Sequence, residues 1–324
     1  MLKHWARRLG VAAVLITGAL WLGNTSLFVS VPIDREPRLI AHRGVHQIYA
    51  GTTRDAETCS ANPIHPLKHD FIANTLPSIN AAFAYGADVV EVDVHLTTDG
   101  VFALFHDWTL DCQTNGAGVT HKQAYSDIRG LDLGYGYSTD GVTFPLRGKG
   151  VAMMPSLKQA IEQSEGGQFL VNFKGNRRKE GVELVTLLQD PQRRERVYGV
   201  YGGGPPTRAA LDGLSGLRGF DRSGLKSCLF RYLALGWTSY VPQACRNGLV
   251  AVPLDYAPLL WGWPHRFTNR MKRAGTEVIL WGPYDGSGFS SGIDDIETLD
   301  QVPEHFDGYI WTNRIEIIGP KMAR

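Results

Sequence analysis

The stretch ADVVEVDVHLTTDGVFALFHD, residues 87–107, constrains this chain more than any other. Side chains alternate faces along a strand, so Glu91 and Asp93 point one way while Val90, Val92 and Val94 pack behind them. Two carboxylates converging on one point repel each other unless positive charge lies between them. A hard divalent cation held by oxygen ligands meets that need. An earlier apolar run ends in Ala41-His42-Arg43-Gly44. His42 and His106 are each followed by a charged residue at the carboxyl end of a strand-like run. With Arg43, they point to metal-assisted work on a phosphate ester. An E-x-D alone is more often salt-bridged structure, and a lone histidine is more often non-catalytic. The combination carries the inference.

The order and spacing of His42-Arg43-Gly44, Asn74-Thr75, Gly86-Ala87-Asp88, Glu91-Val92-Asp93-Val94, Thr97, Asp99-Gly100 and His106-Asp107 resemble the glycerophosphodiester phosphodiesterase family. Later, Met154-Pro155-Ser156-Leu157 is similar to that family's Pro-Thr-Leu helix start, and Asn172-Phe173-Lys174 stands at its E-x-K strand. Residues 278–281, and 307–310 with Thr312-Asn313-Arg314, resemble its last two barrel strands. The resemblance covers residues 38–318. It implies a (β/α)8 barrel, His42 and His106 as general acid and base, and a metal held by Glu91, Asp93 and the residue at position 172. Charge placement adds Arg43 as a planar fork for a phosphate oxygen and Lys174 as a further cation. Two positions depart from the family pattern. Ala73 replaces the glutamate of E-N-T, and Asn172 replaces the glutamate of E-x-K, which in the family ligates the metal. Asn172 can still offer calcium or magnesium its amide oxygen, with one negative charge fewer. Thr312-Asn313-Arg314 stands for Thr-Asp-Arg, a change expected to be structural and mild.

Strand-like runs at 39–42, 89–95, 101–106, 169–173, 197–200, 249–254, 277–281 and 309–311 alternate with helix-like segments at 76–85, 156–163 and 182–189. The second of these helices opens with a Ser-x-x-Gln capping box. The alternation predicts an α/β domain over residues 38–320, and its length fits a (β/α)8 TIM barrel. The resemblance, rather than the count of strands, selects a barrel over an open sheet. Residues 51–72 form a polar insertion expected to overhang the barrel mouth. The stretch 201–206, YGGGPP, lacks a following Lys-Ser or Lys-Thr and is expected to be a loop rather than a phosphate cradle.

At the N-terminus a short basic segment, residues 1–8, precedes an apolar run at 9–31, long enough to cross a hydrocarbon core of about 30 Å. Positive charge before the run favours an inside N-terminus. The expectation is a single transmembrane anchor in the inner membrane with the catalytic domain on the extracytoplasmic, periplasmic side; a cleaved signal peptide is the competing reading. Four cysteines agree with export, and Cys59 with Cys112 plus Cys228 with Cys245 is the preferred disulfide pairing. A net charge of +1 without a long basic run gives no sign of nucleic-acid binding. Tyr256, Leu259, Leu260, Trp261, Trp263 and Phe267 form an aromatic-rich segment that either packs the outer layer, walls a glycerol or acyl group, or meets a bilayer surface.

The expected activity is divalent-cation-dependent hydrolysis of glycerophosphodiesters. The alternatives are a phospholipase acting on lyso or intact lipids, and a barrel that binds phosphodiesters without turnover.

Overall fold

The computed structural model describes residues 2–30, 36–52, 58–286 and 291–322. Nine strands lie among the described residues: β1 (Arg38–His42), β2 (Val89–Leu96), β3 (Phe102–Leu104), β4 (Gln168–Phe173), β5 (Val197–Gly202), β6 (Arg218–Asp221), β7 (Leu249–Pro253), β8 (Glu277–Trp281) and β9 (Tyr309–Thr312). Eight of them pair in parallel in the order β6-β5-β4-β2-β1-β9-β8-β7. β6 and β7 lie side by side without a hydrogen-bonded ladder, so the ring is a nearly closed eight-stranded barrel.

The run at 101–106 is a strand, as expected, but β3 is not a stave. It pairs antiparallel with β2, His95 opposite Ala103. Only Thr97-Thr98-Asp99-Gly100 and Val101 separate the two strands, enough for a turn at Gly100 (φ +80°). A parallel crossover needs about a dozen residues or more. β6 supplies the missing stave. Arg218-Gly219-Phe220-Asp221 carries one strongly strand-forming side chain, and Gly219 is needed because a Cβ there would lie 2.3 Å from the Val200 carbonyl oxygen.

Eight helices of seven or more residues lie among the described residues: α1 (Leu2–Asn24), α2 (Leu76–Ala84), α3 (Leu157–Gln163), α4 (Arg178–Leu187), α5 (Gly204–Gly213), α6 (Arg222–Leu235), α7 (His265–Arg273) and α8 (Ile315–Met322). Ser156 caps α3 in the expected box with Gln159, and Thr75 caps α2 by accepting from the Ser78 N–H. The helix expected at 182–189 begins four residues earlier, at Arg178. Residues 201–206 are the end of β5 and the first turn of α5, whose prolines occupy positions that need no N–H donor.

Every residue of β2 is buried, because both faces of a barrel stave are covered. Inside the ring lie Ile40, Val89, Leu170, Leu249, Ile279 and Trp311. Outside, Val90, Val92 and Val94 share one core with Ile79, Leu157 and Ile161 from α2 and α3. Each such side chain contributes about 1.5–3 kcal/mol of transfer free energy. That burial fixes which face of β2 looks into the mouth.

The expected anchor at 9–31 is not obtained. Among the described residues no helix is long and apolar enough to cross a membrane. The apolar run was counted through Asn24, Thr25 and Ser26, but α1 stops at Asn24, whose side chain turns back onto the Leu20 carbonyl. From Leu9 to Asn24 the helix rises about 24 Å, short of a hydrocarbon core of about 30 Å. Val31, the last residue of the expected span, lies outside the described residues.

Both disulfides pair as expected, Cys59 with Cys112 and Cys228 with Cys245. The first ties the 51–72 insertion to the loop after His106. Residues 53–57 of that insertion lie outside the described residues.

Candidate active site

Strand register assembles the site at the carboxyl ends of the staves, where barrel folds present their functional groups. His42 of β1 stands beside Glu91 of β2, Asp93 beside Asn172 of β4, and Asn172 beside Tyr201 of β5. Lys174 follows β4 directly, and Asn313 follows β9.

Arg43 sits in the left-handed region at φ +56°, unusual for a residue with a side chain. Its N–H donates to the Glu91 carbonyl at 3.0 Å, and its own carbonyl accepts from the Asn74 N–H at 3.0 Å and the Ser78 hydroxyl at 3.1 Å. These bonds fix the turn that throws the guanidinium over the mouth. Gly44 follows at φ +76°, where a Cβ would lie 2.9 Å from the Ser78 carbonyl oxygen. The Arg43 Nε lies 3.2 Å from Asp93 Oδ2 and donates to His42 Nε2 at 3.0 Å.

The tautomer of His42 follows from its partners. Asn313 donates both its backbone N–H (2.6 Å) and its Nδ2 (2.7 Å) to Asp294, which leaves its Oδ1 as acceptor. That oxygen lies 2.5 Å from His42 Nδ1, so Nδ1 carries the proton and the Nε2 lone pair faces the mouth. His106 is set similarly: its Nδ1 lies 2.8 Å from Asp107 Oδ1, while Asp107 Oδ2 accepts from the Ser60 N–H at 3.1 Å. Ser60 adjoins the Cys59–Cys112 disulfide, so the insertion braces the second histidine. Burial, then the nearby Arg43, lowers the pKa of both imidazoles well below the usual histidine range; Lys174 also acts on His106. Both shifts favour the neutral imidazole.

Glu91 and Asp93 have fully buried side chains. Glu91 accepts from the Tyr201 hydroxyl at 2.7 Å and from the Arg43 N–H at 3.2 Å. Burial and the Asp93 charge raise its pKa strongly. Burial also opposes the charge on Asp93, but Lys174, His106, Arg43 and the Asn74 hydrogen bond outweigh it and hold Asp93 below the usual carboxylate range. Lys174 Nζ is 3.6 Å from Asp93 Oδ1, and Asn74 Nδ2 donates to Oδ2 at 3.1 Å.

The donor chemistry fits a hard divalent cation. Glu91 and Asp93 are neighbouring oxygen donors, and burial together with the Asp93 charge disfavours a charged Glu91, a cost that a bound dication would offset. No group of three His, Cys, Asp or Glu able to hold a metal occurs among the described residues, and Asn172 is the neighbouring side chain that could offer a third oxygen. Its Nδ2 donates to Asp93 Oδ1 at 2.9 Å, and turning the amide over would present the oxygen instead.

All seven residues expected from the sequence thus stand at one mouth. Asn313 is a correction: it touches His42 directly and sets its tautomer, rather than serving the backbone alone. Tyr201, Asp294 and Ser60 were not foreseen. In the aromatic segment, Leu260 and Phe267 are buried in the core, Trp263 packs partly against it, and Tyr256, Leu259 and Trp261 are exposed.

The fold and the site define a parallel α/β barrel with a histidine, carboxylate and guanidinium cluster at its carboxyl-end mouth. Residues 42–197 match the glycerophosphoryl diester phosphodiesterase family, and this stretch belongs to that family of phosphoric diester hydrolases. A glycerophosphodiester phosphodiesterase of Caldanaerobacter subterraneus is 34% identical over 117 residues, 36% of this chain and 44% of that protein. Human glycerophosphodiester phosphodiesterase 1 is 41% identical over 183 residues, 56% of this chain and 50% of the human one. The chain spans about half or less of the length of these curated relatives. The glycerophosphoryl diester phosphodiesterase domain of a Mycobacterium tuberculosis protein shares the fold with a TM-score of 0.62 at 18% identity, over 88% of this chain and 99% of that one. A glycerophosphodiester phosphodiesterase from Agrobacterium tumefaciens does so with 0.59 at 17%, over 88% and 100%.

Proposed function

We propose that this chain hydrolyses glycerophosphodiesters to an alcohol and glycerol phosphate, with a divalent cation held by Glu91, Asp93 and Asn172. The observation that carries the reading is the pair of oriented imidazoles beside the cations Arg43 and Lys174. His42 and His106 each have Nδ1 tied to a fixed acceptor, and the Nε2 lone pair of His42 faces the mouth, where it accepts from Arg43 Nε at 3.0 Å. Calcium or magnesium, when bound, would neutralise a non-bridging phosphate oxygen and stabilise charge growing at phosphorus. Arg43 offers its fork to the other oxygen, and Lys174 adds a second positive charge. One imidazole takes the proton of the nucleophile. The other, charged under the influence of the incoming phosphate anion, gives one to the leaving alkoxide. A phosphodiesterase of Oleispira antarctica with a similar fold (TM-score 0.50, 17% identity) was solved with its product sn-glycerol-3-phosphate, which favours a glycerol phosphate product here. The two disulfides support an extracytoplasmic location for the barrel.

The test is release of choline from glycerophosphocholine, and separately from lysophosphatidylcholine, by the full chain with calcium, magnesium or chelator. Turnover of the first supports the reading, and preference for the second would make the enzyme a phospholipase of the D type acting on lysophospholipids. No turnover from folded protein with any cation would leave a phosphodiester-binding barrel. Within that assay, Asn313→Ala is expected to lower kcat about 10- to 100-fold with KM little changed, since the tautomer rather than binding is lost. Asn313→Asp, which keeps the acceptor oxygen, should retain most of the rate.

A further inference from the structure

One flank of the barrel differs from the rest in charge and in exposed apolar surface. Residues 222–273 contain eight Arg or Lys and a single acidic residue, Asp255, in a chain whose net charge is only +1. Helices α6 and α7 carry no Asp or Glu, nor does α1. Arg222, Lys226, Arg231 and Arg273 are exposed and form no ion pair among the described residues. Arg222, Lys226, Phe230, Leu233 and Trp237 recur at spacings of four, four, three and four, which sets them along one outward face of α6 and the turn after it. Phe230 is 68% exposed. The indole N–H of Trp261 donates to the Leu233 carbonyl at 2.8 Å, which places Trp261 beside that stripe.

The same flank grips the end of α1. Arg270 donates to the Gly23 carbonyl at 3.0 Å and to Asn24 Oδ1 at 3.1 Å, and Ser26 Oγ donates to the Gly262 carbonyl at 2.8 Å. Between them runs a groove of about 1220 Å³ whose lining includes Trp21, Leu27, Trp237, Leu259, Trp261 and Trp263. Farther along, Val11, Val14, Leu15 and Ile16 of α1 are all more than half exposed. From Leu9 onward the helix is apolar on every side, a pattern stable only in apolar surroundings, and this apolar part, at about 24 Å, is short for a bilayer span.

We propose that the flank built from α1, α6 and α7 docks on the surface of a bilayer containing anionic phospholipid. Leu, Phe and Trp side chains enter the interfacial layer, and the unpaired cations meet lipid phosphates. The excess of cations selects an anionic surface over a zwitterionic one, and the tryptophans suit the boundary between acyl chains and headgroups. The protein attaches to one leaflet and does not cross. The inference is independent of the activity proposed above, because no residue of the mouth takes part.

The test is co-sedimentation of the full chain with vesicles of phosphatidylcholine alone and of phosphatidylcholine with about one third phosphatidylglycerol, whose anionic headgroups give the surface a negative potential. Binding is expected on the anionic vesicles only, released by about 0.5 M salt as the Debye length shrinks. Lys226→Glu with Arg231→Glu should weaken it by about tenfold or more. Phe230→Ser with Trp237→Ser should weaken it at every salt concentration. Both variants should keep the wild-type circular dichroism and hydrolyse soluble glycerophosphocholine at the wild-type rate. Equal binding to both vesicle types, or unchanged binding by the charge-reversed variant, would overturn the proposal. So would light scattering that shows a dimer dissolved by Phe230→Ser, because the flank would then be a contact between copies of this chain.

Discussion

His106→Ala is expected to slow hydrolysis of glycerophosphocholine by about 10²- to 10⁴-fold, which is about 3–5 kcal/mol on the barrier. An alkoxide leaves poorly without a proton, or an unactivated nucleophile attacks poorly, and either loss falls on kcat. The substitution is well suited to the question because His106 makes one side-chain hydrogen bond, to Asp107, and Asp107 keeps the Ser60 N–H when the imidazole is gone. The loop therefore retains its brace, and thermal unfolding should move little. KM should also stay near the wild-type value, since Arg43 and Lys174 remain to hold the phosphate. Steady-state kinetics on the wild type and variant decide the matter. An unchanged kcat would remove His106 from proton transfer, and a large drop in unfolding temperature with proportional loss of activity would make its role structural.

Much of this site was legible because it is written in adjacent residues. Glu91 and Asp93 share a face by strand alternation, and His42-Arg43-Gly44 reports the tight turn that β1 makes into the mouth. The partners that orient these groups obey no period. Asn313 lies 271 positions from His42, and Tyr201 lies 110 from Glu91. Only closure of the barrel brings them together, so the sequence offers no local signal for either contact. β6 escaped notice for the opposite reason: Arg218-Gly219-Phe220-Asp221 is made a strand by its neighbours β5 and β7, against weak local preference. At the N-terminus, composition misled. An apolar run measures hydrophobicity, whereas a span needs helix through its whole length, and the helix ends at Asn24. What the structure shows there is an apolar helix surface fastened to a basic flank.

Chelation is expected to abolish turnover, and the residue at position 172 should set how little chelator is needed. Without a cation, Glu91 is driven towards its neutral form by burial and by Asp93, so the mouth contains one firm carboxylate facing Arg43 and Lys174. A dication would have to displace the Arg43 N–H from Glu91 and the Arg43 and Lys174 ion pairs from Asp93, and it would gain only an amide oxygen as third side-chain ligand. Affinity for Ca²⁺ tracks the number of charged ligands, so Asn172→Asp should tighten binding by about 10-fold or more. Calorimetric titration of the metal-free protein reads this directly, apart from any assay of activity. Glu91→Gln should weaken binding by a comparable factor, because it removes a ligand charge while keeping the shape and the Tyr201 hydrogen bond. If full activity survived exhaustive chelation and calorimetry found no binding to wild type or Asn172→Asp, the carboxylates would be partners of Arg43 and Lys174 alone, and those two cations would carry the phosphate charge.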